Sequence, residues 1–245
     1  MSEYYGFFNK VMYIRLTTAL KSGNMRRFEA NYTVSAEQKK LITFGAVLFT
    51  RNLESCRTFR LRADKSKIVD MLFSWWDINN PEGALRTAGK LSTANGHTPV
   101  ADRVYKALEP DGRIRPLRQS ANDIAEFENR IECYKTARDI LLDLGYTERE
   151  LSEVKSTSAW DYGRAGFIAR YCVKAGYMEE DEAWGFMETA AKSAASVYGN
   201  WREYTAGYVF GRALGYTNDS RDIYAVLRYL LNNSNSPFNE AAIYN

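Results

Sequence analysis

Four charged side chains in the C-terminal half stand where helices ordinarily keep apolar ones, and their types suit acid–base chemistry. In "AWDYGRAGFIARYCVKA" (159–175), helical spacing puts Asp161 and Arg164 on one face with Ala165, Ile168, Cys172 and Ala175. In the next segment Glu188 falls among Trp184, Met187, Ala191, Ala195 and Tyr198. In "WREYTAGYVFGRALG", Arg212 aligns with Trp201, Tyr204, Thr205 and Tyr208. A pair of carboxylates such as Asp161 and Glu188 can work as general acid and base or share a divalent metal, while Arg164 and Arg212 hold an anionic substrate. The same two acids and two bases also suit an ion-pair network that fixes helix register. A buried charge stripped of its partner costs roughly 3–5 kcal/mol, so equal numbers favour mutual pairing, and the network is the preferred reading. Asp161 has a local alternative too, because Ser158-Ala-Trp-Asp161 is close to a capping box for its own helix. Arg170 points away from this face, among Gly163, Gly166 and Lys174, and is expected in solvent or at a rim.

Other chemistries find no residues to carry them. His97 is the single histidine, in the turn-rich "TANGHTPV", so a histidine-based zinc site or a Ser-His-Asp triad has little to build on. It is read as a loop residue without chemistry. Cys56, Cys133 and Cys172 form no Cys-x-x-Cys pair and are read as reduced thiols, which points to the cytoplasm. The glycines of "GRAG" and "GNWREYTAGYVFG" lack the strand–loop–helix context of a phosphate loop. No metal and no cofactor are expected.

The elements that position these residues are mainly helical, with the periodicity of a multi-helix globular bundle. Ser35 caps a helix over 36–52. Further helices follow at 66–78, at 81–94 behind Asn80-Pro81, and from Ser120 or Asn122 to Leu144. Thr147 and Glu150 form a capping box before a short helix. Then come helices at 159–175, 179–198, 201–214 and 220–232, with Gly176, Gly199 and Gly215 at C-terminal cap positions and Asn200 as an N-cap. Gly185 and the alanines around it offer a close helix–helix approach. The one strand-like piece is "RTFRLR" (57–62). Trp75 and Trp76 point about 100° apart, so one ring suits the core and the other an interface or a loop underside. The strongest break is "EPDGRIRP" at 109–116, which divides a basic helical region (1–109) from a C-terminal helical region (117–245); the two halves can still pack as one domain.

Charge is uneven across that break: residues 1–117 carry a net +8 and residues 118–245 a net −5. Such asymmetry marks a charged partner surface or two halves that attract each other. The segment "RNLESCRTFRLRADKSK" (51–67) sets Arg51, Arg57, Arg60, Arg62, Lys65 and Lys67 around Phe59, a pattern that can track a nucleic-acid backbone, although no nucleic-acid-binding signature accompanies it and this partner is not favoured. The N-terminus has no basic leader region, and the longest apolar run, 41–49, is far short of a membrane span. A cytoplasmic protein without membrane association is expected.

The runs "AWDYGRAGFIARYCVKAGYMEEDEAW" and "NWREYTAGYVFGRALG" resemble the bacterial family grouped as domain of unknown function 1266 (YbeU/YbeR-like proteins). The matching residues are Asp161, Arg164, Arg170, Gly176, Tyr177, Trp201, Tyr204, Gly211 and Arg212. Upstream, "LFSWWDINNPEGALRTAGKL" resembles the family's Trp-containing start, with Trp76 and Ile78 before a helix. The likeness covers about 66–215 and implies a bacterial, cytoplasmic, helical protein, but no reaction. The functional expectation is binding to a protein partner, of the immunity type or within a stress or conflict system. The alternative is a carboxylate-dependent hydrolase or transferase acting on a phosphorylated substrate or nucleic acid.

Overall fold

Local signals start several of the helices. A computed structural model describes residues 5–108 and 121–243. Ser35 and Gln38 close a capping box at the head of α3 (Ala36–Thr43), and Thr147 and Glu150 close another before α9 (Glu148–Ser152). Asn80 accepts from the Gly83 amide at 2.8 Å ahead of α6 (Pro81–Ser92), and Asn200 accepts from Glu203 at 2.9 Å ahead of α12 (Trp201–Tyr216). Gly176 ends α10 (Ala159–Ala175) in the left-handed conformation that glycine adopts without strain. The remaining helices are α1 (Phe7–Leu20), α2 (Gly23–Asn31), α4 (Ala46–Arg51), α5 (Lys65–Trp76), α7 (Thr98–Ala107), α8 (Ala121–Asp143), α11 (Glu180–Val197) and α13 (Tyr224–Asn232). The fold is globular and all-α, and no strand forms among the described residues.

α10 is the central element. It packs against α4, α5, α6, α11 and α12, so nearly every one of its side chains is buried. α12 carries the second layer against α7 and α8, and α13 joins α1 and α4. Helices from both sides of the 109–116 break therefore enclose one continuous apolar core. The break itself lies outside the described residues.

Several sequence expectations change. The helix expected over 36–52 is two helices, because the Phe44 carbonyl accepts from the Tyr204 hydroxyl at 2.8 Å and the chain turns at Phe44-Gly45. The Phe49 ring folds back onto Gly45, where a Cβ would sit 2.5 Å from it. Gly215 lies inside α12 rather than at its cap, and its bare Cα admits Trp160 and the His97 Cβ. Gly199 is not left-handed either, and α11 ends in extended backbone at Tyr198. The first turn of the helix expected from 220 is a 3₁₀ turn, Arg221–Ile223. Helices α1, α2 and α7 lie in segments where the periodicity reading has no element. Trp75 is 76% exposed, whereas Trp76 is half-buried near Phe167.

The expected strand at 57–62 is an extended loop. Its backbone groups pair with side chains instead of a neighbouring strand. Arg170 donates to the carbonyls of Ser55 (3.1 Å), Thr58 (2.8 Å), Phe59 (2.9 Å) and Arg60 (3.1 Å). The Glu54 carboxylate accepts from the amides of Arg62 (2.9 Å) and Ala63 (2.8 Å).

Candidate functional site

Asp161 occupies the first turn of α10 and is 0% exposed. Its carboxylate reaches across to the start of α7, 63 to 65 residues away in sequence. It accepts from the amides of Gly96 (3.0 Å), His97 (3.0 Å) and Thr98 (3.1 Å), from the Thr98 hydroxyl (2.8 Å), and from the Arg164 guanidinium. Free amides at a helix start attract an anion, and here a side chain from another helix supplies it. Ser158 makes no side-chain cap on α10, so Asp161 serves the neighbouring helix and not its own. α7 returns the arrangement. Its Asp102 accepts from the Thr157 amide and hydroxyl, both at 2.7 Å, and from the Ser156 hydroxyl at 3.0 Å, all in the turn that leads into α10. Each helix thus supplies the carboxylate that orders the other's entry. Asp102 escaped the sequence reading because its partners lie more than fifty residues away.

Arg164 completes the cluster. Its guanidinium lies 3.6 Å from the centre of the Trp160 ring and 5.7 Å from Trp76. Burial pulls its pKa down, and Asp161 opposes that shift. Its Nη2 is 2.9 Å from Nδ1 of His97. A guanidinium only donates, so Nδ1 must accept and the proton of the neutral ring sits on Nε2. Burial first, and the Arg164 charge second, hold His97 below its ordinary pKa. The ring lies between Trp160 (4.9 Å) and Tyr216 (6.2 Å).

The other predicted charges do not join this cluster. Glu188 has a side chain 55% exposed and pairs with Lys192 at 2.8 Å on the surface of α11. The buried residues of that helix are Ala183, Met187, Ala190, Ala191 and Ala194, and Glu188 is not among them. Arg212 pairs with Asp222 through two hydrogen bonds of 2.6 and 2.9 Å, and Arg51 reaches the same carboxylate at 3.0 Å. Burial pushes the Asp222 carboxyl up, but the hydrogen bonds and charge of Arg212, together with the charge of Arg51, outweigh it and hold it below its ordinary value. The expected set of four therefore divides among separate places. Asp161 is buried and saturated by donors, whereas Glu188 lies on the surface of α11.

Arg170 reverses its expectation most completely. It is 1% exposed, and it lies over the Phe49 ring at 4.1 Å while it binds the four loop carbonyls. Burial lowers it to about 10, so it remains cationic at neutral pH. The small residues on its side of α10 signal close packing rather than solvent. A Cβ on Gly163 would lie 3.2 Å from the Phe44 carbonyl oxygen and 2.9 Å from Tyr208.

Trp201 donates to the Ala241 carbonyl at 2.6 Å and stacks on Phe238, while Tyr204 is fully buried on Phe44. In the basic segment, Arg51 meets Asp222, Arg57 meets Glu240 and Glu29, Arg60 meets Glu180, and Lys67 meets Asp64. Phe59 is buried against Trp184 and so is not available to stack on a base. No three of the described His, Cys, Asp and Glu residues form a group that could hold a metal ion. None of the described helices is long and apolar enough to cross a membrane.

Comparison with known proteins adds a family. The uncharacterized protein YbeR of Escherichia coli (strain K12) is 43% identical over 141 residues, which is 58% of this chain and 55% of that protein. The chain thus spans about half the length of the curated relative it matches. No solved structure matches. The model of the family described as "Protein of unknown function (DUF1266)" matches residues 71–242, which takes in the reciprocal α7–α10 caps and Arg170 but not the loop that Arg170 binds. With most of its length matched in this way, the chain belongs to the DUF1266 family.

Proposed function

We propose that this protein acts by non-covalent binding of a protein partner, with α1 as the docking element. The observation that carries this reading is the outward side of α1. Phe7 is 85% exposed, and Phe8, Val11 and Ile14 are exposed with it. Phe7, Val11, Ile14 and Thr18 recur at the spacing of one helix face, flanked by exposed Lys10 and Arg15. The opposite side, with Leu16, Met12 and Leu20, packs toward the core against α13. A helix apolar on both sides is ordinarily buried on both, and apolar anchors at i, i+4 and i+7 suit a helix laid into a groove. α1 carries no acidic residue, so two copies would bring basic rims together. The occupant that fits is a protein groove with an apolar floor and an acidic rim. An immunity-type role, or one in a stress or conflict system, is the form of this reading in which that occupant is a toxin or a stress-response protein. α1 lies outside the family-matched residues, so the role belongs to this chain rather than to the shared part of the family.

The test compares tagged wild-type protein with a Val11→Asp/Ile14→Asp variant. A protein retained by the wild type, lost by the variant, and then shown with purified components to bind more weakly as salt rises supports the reading. The variant must keep its circular dichroism and melting temperature. Equal retention by both proteins overturns it. So does Val11-dependent sedimentation with phosphatidylglycerol vesicles in place of a protein partner, since a basic amphipathic helix can also lie on an anionic bilayer.

A further inference from the structure

A cleft of about 620 Å³ opens between α7, α8 and α9, apart from the Asp161 cluster. That volume lies within the range of small-molecule sites, roughly 300–1,000 Å³. Its apolar surface comes from Tyr105, Leu108, Tyr134, Leu151 and Val154. Burial raises both phenols above their ordinary values, so these rings are neutral at physiological pH. Among the described residues its charged lining is Lys106, Arg138, Arg149 and Lys155, with Glu148 as the one carboxylate. Glu148 is engaged by Arg138, and Arg149 pairs with Glu153 at 2.8 Å. Lys106 and Lys155 are exposed and have no carboxylate partner among the described residues. The chain as a whole carries only +3, so an excess of cations around aromatic side chains is a local feature.

We infer that this cleft binds a small organic dianion with a flat ring, of the nucleoside monophosphate class. Lys106 and Lys155 meet the phosphate, and Arg149 reinforces them. The Tyr105, Tyr134 and Leu151 surface receives the ring. Lysines suit a phosphate as point charges, and aromatic and aliphatic walls favour a planar ring over an extended chain. The site is independent of α1 and does not rest on the protein-binding reading.

Isothermal titration of the full chain with adenosine 5′-monophosphate, inorganic phosphate and adenosine separates the contributions. The expected result is that the nucleotide binds at least tenfold more tightly than either half, and that Lys106→Glu/Lys155→Glu weakens it at least tenfold. A Lys192→Ala variant, on the surface of α11, leaves binding unchanged. If the charge reversals disturb folding, as read by circular dichroism, Lys106→Gln/Lys155→Gln replaces them, with a weakening of several-fold expected. No heat at millimolar nucleotide overturns the inference. So does an affinity equal to that of phosphate alone, or one indifferent to the two lysines.

Discussion

At the scale of single residues, the buried charges of this protein are held by backbone more than by one another. Asp161 takes three amides and a hydroxyl besides Arg164, and Arg170 takes four carbonyls and no carboxylate. Such bonds satisfy a charge in low dielectric as an ion pair does, and they also tie down a loop. Asp161→Asn keeps the shape but removes the charge that balances buried Arg164. Urea denaturation should show it less stable by about 3 kcal/mol or more, within the range for breaking a buried pair. His97 gives a pH dependence. Its folded pKa lies below the unfolded value of 6.5, so the unfolded chain binds the proton first as pH falls. The His97 contribution is therefore present in full above 6.5 and is lost as pH falls through the folded value. Urea midpoints measured from pH 8 to pH 5 should fall in the acidic part of that range, and a His97→Gln variant should show a shallower fall.

At the scale of elements, glycines decide how closely helices meet. A Cβ on Gly211 would overlap the Thr157 carbonyl oxygen and come within 2.8 Å of the Trp160 Cβ, with backbone on one side that cannot turn away. Gly185, whose neighbourhood suggested a close approach, is exposed, and a Cβ added there would meet nothing within 4 Å. Gly211→Ala should therefore destabilise by about 1–3 kcal/mol through overpacking. Gly185→Ala should be neutral or stabilise by up to about 1 kcal/mol through helix propensity. Thermal melting of the two variants side by side checks both signs. Several helix starts were legible because caps such as Asn80, Thr147 and Asn200 act on amides three residues ahead. The loop at 54–63 was not legible, because alternating residues look alike whether a strand or the side chains of Arg170 and Glu54 receive their backbone bonds.

At the scale of the whole molecule, the basic first half and the acidic second half attract each other. Arg51–Asp222, Arg57–Glu240 and Arg60–Glu180 all join the two. These pairs are partly exposed, so each adds at most about 1 kcal/mol, and the continuous core does more to hold the halves together. That core also encloses the cysteines. Burial pushes Cys56 and Cys172 up to about 12, and Cys133 is raised as well. At pH 8, iodoacetamide should leave Cys56 and Cys172 of the native protein unlabelled and should label all three thiols in guanidinium, as mass spectrometry would show. Sequence by itself determined the all-α class, most helix boundaries, the family likeness, and which residue types stood out. Tertiary structure alone decided that Arg170 is buried and Glu188 is not, that Asp161 caps α7, and that Arg212 belongs to Asp222. A helical wheel reports the direction in which each side chain leaves its own axis. Whether that direction is covered depends on helices distant in the chain, and around α10 they cover nearly every direction.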